Sequence, residues 1–134
     1  MSEHLVLVIE DDEPVREVVS SCLEDIAGWQ VIAASSGAEG LRLAQETAPD
    51  GIILDLMMPE MDGFAFLQQL QSLAKTTDLP QAPFAVVLLT AKVDLIQSND
   101  LAGQLAELGV KGAIAKPFDP LALTSQVAEL MGWT

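Results

Sequence analysis

Four apolar runs in this chain end in residues able to do chemistry. In LVLVIEDDEPVRE, Leu5 to Glu17, the run leads straight into Glu10, Asp11, Asp12 and Glu13. Adjacent carboxylates repel one another unless water or a cation lies among them. In GIILDLMMPEMDG the run ends in Asp55, and two later runs end in Thr90 and Lys116. Carboxylates, a hydroxyl and an ammonium together suit a hard divalent cation and a phosphoryl group. Mg²⁺ takes oxygen ligands and keeps several waters, while Thr and Lys suit phosphoryl oxygens. Taken singly, each residue is also an ordinary helix cap or solvated loop residue, so the chemistry depends on one fold bringing them together.

The elements that could do so are legible as an alternation of short apolar runs with stretches of helical period, the pattern of βαβ units around a parallel sheet. Strands are predicted at Leu5 to Ile9, Gln30 to Ala34, Gly51 to Leu54, Phe84 to Leu89 and Lys111 to Ala115. Several are apolar throughout, as expected where helices cover both faces. Val15, Val18, Val19, Cys22, Leu23 and Ile26 share a helical face, with Asp12 as N-cap and Pro14 in the first turn. Ser36 and Glu39 form a capping box for a second helix reaching about Ala48. Phe66, Leu67, Leu70 and Leu73 mark a third helix, Asp100 to Leu108 a fourth that stops at Gly109, and Pro120 to Met131 a fifth. The expected fold is α/β, a doubly wound five-stranded parallel sheet. In such sheets ligands bind beyond the carboxyl ends of the strands, where the acidic run from Glu10, Asp55, Thr90 and Lys116 would lie.

Composition narrows the rest. At 134 residues the chain is long enough for a single domain with its own core. Six basic against twenty acidic residues give a net charge of −14, which repels nucleic acid and anionic lipid. No apolar run approaches the roughly 18 residues of a membrane span, and MSEHLVLVIEDD lacks the basic start of a signal peptide. The expectation is a cytoplasmic domain that contacts neither nucleic acid nor membrane. Cys22 recurs in step with apolar neighbours and reads as a packing residue, and His4, with no second imidazole to share a metal, reads as a surface histidine.

IEDDEP after the first strand, LDLMMPEMDG after the third, LLTAK after the fourth and AIAKPF after the fifth resemble, in that order, the receiver domain of bacterial two-component response regulators. The resemblance covers essentially the whole chain. It implies a flavodoxin-like (βα)5 fold and transfer of a phosphoryl group from a phosphohistidine on a sensor histidine kinase or phosphotransfer protein. Asp55 would be the acceptor, Glu10 and Asp11 the acidic pair, and Asp55 with the backbone carbonyl of Met57 would complete a Mg²⁺ site. Thr90 and the amide of Ala91 would hold phosphoryl oxygens, with Lys116 paired across the site, and Pro117 follows Lys116 as in the family. A carboxylate needs no base to act as a nucleophile. The resemblance implies a signalling domain that catalyses only its own phosphorylation and dephosphorylation, not an enzyme. MGWT after the last helix leaves no room for an output domain, so residues 1–134 are expected to be one receiver domain.

Rival readings fail on particular residues. An aspartyl phosphatase of the haloacid dehalogenase type needs a second carboxylate two residues after its nucleophile, and that position is Met57. A nucleotide-binding or flavodoxin-like module needs glycines or hydroxyls in the first βα loop, where Glu10 to Glu13 would repel phosphate. A phosphorylation-independent pseudo-receiver is the alternative within the family, opposed by the intact Asp55, Thr90 and Lys116. The departure from the family pattern is Ala113, three residues before Lys116, where an aromatic switch residue is usual; the chain contains no tyrosine. The segments 66–84 and 90–116 are also longer than usual.

Overall fold

The computed structural model describes residues 4–56, 63–76, 84–91 and 99–133. Its elements run β1 (Leu5–Ile9), α1 (Glu13–Asp25), β2 (Gln30–Ala34), α2 (Gly37–Thr47), β3 (Gly51–Asp55), α3 (Gly63–Thr76), β4 (Val86–Thr90), α4 (Asn99–Glu107), β5 (Val110–Ala115) and α5 (Pro120–Met131). The five strands form one parallel sheet in the order β2-β1-β3-β4-β5. The α/β doubly wound fold expected from the sequence is the fold observed. The differences lie at the margins: β3 and β4 each extend to the polar residue that ends the run, Asp55 and Thr90, and β4 begins at Val86 rather than Phe84.

Alternation along each strand builds two cores. Leu7, Ile9, Ile52, Leu54, Val86 and Leu88 face one way, toward Ala44 of α2, Phe66, Leu67 and Leu70 of α3 and Leu105 of α4. Val6, Val8, Ile53, Val87 and Leu89 face the other way, toward Val19 and Leu23 of α1 and Leu123 and Val127 of α5. Val18 and Ile26, assigned to the buried face of α1 from their spacing, are instead 42% and 53% exposed. Val18 sits at the margin of the stripe and Ile26 is the C-cap, beyond the last helical turn.

Caps fix where the helices start. Asp12 accepts the Val15 N–H at 3.3 Å, and Asp119 accepts the Leu121 N–H at 2.9 Å. Ser36 accepts the Glu39 N–H at 3.2 Å, while the Glu39 carboxylate reaches back to the Ser35 N–H at 2.7 Å. The predicted capping box is therefore present, displaced by one residue on its return bond.

A buried polar clasp escapes any sequence pattern. Gln71 of α3 is 6% exposed. Its amide nitrogen donates to the carbonyls of Phe84 at 2.9 Å and Leu108 at 2.6 Å, and its oxygen accepts the Phe84 N–H at 2.9 Å. This one side chain ties the entry of β4 to the turn after α4. Gly109 in that turn has φ +87, and a Cβ there would collide with the Phe84 carbonyl and the Gln71 amide. Only glycine meets both demands.

At the amino-terminal pole of the sheet, His4 stacks on Trp133 with ring centroids 3.9 Å apart and planes 6° from parallel, and Trp29 stands edge-on to both. His4 is thus half-buried in an aromatic cluster, not a free surface residue as its isolation in the sequence implied.

Candidate functional site

The register of the sheet assembles the opposite pole. Ile9 of β1 pairs with Leu54 of β3, so the next residues, Glu10 and Asp55, emerge side by side. Thr90 closes β4 opposite Ala115, one residue before Lys116. The ladder continues past these strand ends: Glu10 N–H donates to the Ala34 carbonyl at 3.0 Å, Leu56 N–H to Leu89 at 3.0 Å and Lys116 N–H to Thr90 at 2.9 Å. The backbone that carries each side chain is therefore held by the sheet itself.

Glu10 and Thr90 are fully buried and Asp55 is 2% exposed. The Lys116 ammonium lies 2.9 Å from Glu10 Oε1 and 3.2 Å from Asp55 Oδ1. The second Glu10 oxygen accepts the Asp12 N–H at 3.3 Å. Asp11 is exposed at the rim, and oxygens of Glu10, Asp11 and Asp55 all lie within 4.8 Å of one another. Of the sequence-predicted residues, Glu10, Asp11, Asp55 and Lys116 are brought together, and Thr90 ends the strand beside them. Met57 lies outside the described residues.

Electrostatics record the crowding. Burial, then a hydrogen bond to Asp55 and its charge, push the Glu10 carboxyl up to about 7, against the opposing pull of Lys116 and the Asp12 N–H. Burial alone would lower Lys116; the hydrogen bond it donates to Glu10 and the negative charges of Asp55 and Glu10 override it and hold the ammonium above its usual value. Converging oxygen donors with an excess of negative charge that one lysine does not cancel fit a hard divalent cation. Cys22 stays apart from this chemistry: burial, and then Asp25, push its thiol up, which disfavours the thiolate.

One contributor was visible in the sequence only as part of EDDEPVRE. Arg16, in the first turns of α1, donates from Nη1 to the Glu10 carbonyl at 3.0 Å. Beside the site an apolar groove of about 580 Å³ opens between α1 and the segment that leads into α5, lined by Pro14, Val15, Val18, Phe118 and Pro120, with Lys116 at its edge. No described helix is long and apolar enough to cross a membrane.

Comparison with known proteins identifies the family. The chain is 36% identical over 132 residues to the response regulator Rre1 of Synechocystis, an alignment covering 98% of this chain and 53% of Rre1. It is 37% identical over 126 residues to the DNA-binding dual master transcriptional regulator RpaA of Synechocystis, covering 94% of this chain and 48% of RpaA. The chain thus spans about half the length of these relatives. Among solved structures, the chemotaxis protein CheY4 of Vibrio cholerae superposes with a TM-score of 0.77 at 29% identity, covering 96% of this chain and 99% of CheY4. The family model described as the response regulator receiver domain matches residues 6–128. With that match running from within β1 into α5 and taking in all four strand-end motifs, the chain belongs to the receiver domains of two-component response regulators.

Proposed function

We propose that Asp55 accepts a phosphoryl group from a phosphohistidine on a sensor histidine kinase or phosphotransfer protein, in a Mg²⁺-dependent reaction, and that the phosphorylated form alters partner binding. The observation that carries this reading is the buried Asp55 carboxylate, held 3.2 Å from the Lys116 ammonium at the end of a central strand. An Asp55 oxygen attacks phosphorus, the phosphorus–nitrogen bond breaks, and the imidazole departs with the electron pair. Lys116, already aimed at Asp55, follows the charge onto the equatorial oxygens, where preorganised cations matter most. Thr90, fixed at the end of β4, supplies a hydroxyl to the same group.

Glu10, Asp11 and Asp55 would hold Mg²⁺, and the bound ion would supply further neutralisation of the phosphoryl oxygens. The apolar groove beside Lys116 favours a protein donor, because a small phosphate ester has no use for so much apolar surface at the mouth of the site. On this reading the chain is a cytoplasmic signalling switch that catalyses only its own phosphorylation and dephosphorylation. Its net charge of −14 opposes direct contact with nucleic acid by this domain.

The test is incubation with a small acyl phosphate. Intact mass should rise by a single phosphoryl unit in Mg²⁺, not in chelator, and not in Asp55→Asn. A modification that survives Asp55→Asn overturns the assignment.

A further inference from the structure

We infer that Arg16 is a positioning residue for the acidic loop, holding the plane of the Glu10–Asp11 peptide so that Asp11 faces Glu10 and Asp55. The inference rests on the reading of that acidic cluster as the cation site.

The three carboxylates are held very unequally. Asp55 is buried against Lys116. Glu10 is fixed through both oxygens, to Lys116 and to the Asp12 N–H, and its own N–H continues the ladder to Ala34. Asp11 is exposed, and among the described residues no hydrogen bond or ion pair holds its side chain. Its direction is therefore inherited from the backbone on which it stands. The oxygen of the peptide bond entering Asp11 is the Glu10 carbonyl, and the Arg16 guanidinium takes it at 3.0 Å. Arg16 is itself rigid at its base, since its N–H donates to the Asp12 carbonyl at 2.9 Å as α1 begins. A closed loop results, running from Glu10 through Asp11 and the Asp12 cap into α1 and back through the guanidinium. Without Arg16 the peptide is free to rotate between the last ladder bond at Glu10 and the cap at Asp12.

Charge and position make opposite predictions here. If Arg16 mattered only as a cation near three carboxylates, its removal would deepen the negative potential and tighten Mg²⁺ binding. If it orients the loop, removal weakens binding, as loss of a residue that supports metal ligands generally does, by about 10-fold or more.

Mg²⁺ affinity is to be measured calorimetrically for the wild type, Arg16→Met and Arg16→Lys, with melting temperatures in Mg²⁺ and in chelator. We expect Arg16→Met to weaken Mg²⁺ binding about 10-fold, with a smaller melting shift on adding Mg²⁺. Arg16→Lys, with charge but no planar fork, should recover only part of the loss. Equal or tighter binding by Arg16→Met overturns the role of Arg16 and leaves the site intact. Should Arg16→Met fail to fold, Arg16→Gln, which keeps a donor without the charge, replaces it, with weakened binding again expected and equal or tighter binding decisive against. Absence of Mg²⁺ binding by the wild type overturns instead the reading of the acidic cluster.

Discussion

Lys116 Nζ stands 3.2 Å from Asp55 Oδ1 where the central strand ends. The ammonium also holds Glu10 at 2.9 Å, so two buried carboxylates share one cation. Lys116→Met should slow phosphorylation of Asp55 by a small acyl phosphate by about 100-fold, the usual effect of deleting one preorganised group that stabilises developing charge. Initial rates by intact mass at saturating Mg²⁺ measure it. A rate within about twofold of wild type would mean that Lys116 only neutralises the resting site.

Glu10 predicts how the metal-free protein responds to pH. Its carboxyl is pushed up to about 7 in the folded protein from 4.5 when unperturbed. Between those values the folded state binds the proton that the unfolded state has released. The stabilising contribution is complete below about pH 4.5 and is lost as pH rises toward 7. In chelator, the melting temperature should fall over this range, and Glu10→Gln should flatten the fall. A profile of the same slope in both proteins would assign the pH dependence to other groups.

The Gln71 clasp makes a prediction about stability alone. Gln71→Leu keeps the apolar stem and strands the Phe84 N–H and the carbonyls of Phe84 and Leu108. About 3 kcal/mol should be lost, lowering the melting temperature by roughly 10 °C. Gln71→Glu should be worse near neutral pH, where a carboxylate would face two carbonyls, and should recover part of its stability in acid. If Gln71→Leu unfolds with the wild-type midpoint in urea, water replaces the amide.

These residues also mark where sequence reasoning reached and where it stopped. That Asp55, Thr90 and Lys116 would meet at one pole was legible because each ends an apolar run, and a parallel sheet brings such ends together. Asp12 and Ser36 were legible because caps are local. Gln71 was not, because a glutamine in a helix has no signature and its partner at Leu108 is 37 residues away. His4 was misjudged for the same reason, its stacking partner Trp133 lying at the far end of the chain. Val18 fitted the helical period, but period alone does not say how wide the buried stripe of α1 is. Arg16 showed its type and place but not that its fork reaches back to Glu10.

The last prediction concerns how phosphorylation is read. Ala113 packs on the sheet face that carries Phe66, Leu88 and Leu105, and it offers no ring to rotate where the family usually has one. Thr90 remains at the end of β4, so its hydroxyl is the contact able to distinguish the phosphorylated from the free state, as any two-state element requires. Movement of Thr90 toward the phosphoryl group would draw on the segment that follows it and on α4. The carboxyl end of α4 is anchored through the Gln71 bond to the Leu108 carbonyl, so the displacement should grow toward Asn99. Hydrogen exchange with and without a phosphoryl mimic should therefore change across residues 91 to 103 more than across 105 to 108. Thr90→Ala should still be phosphorylated on Asp55 yet lose most of that change, whereas Ala113→Tyr should leave it largely intact. If the wild-type segment does not respond while a partner still discriminates the two forms, the signal leaves by another face.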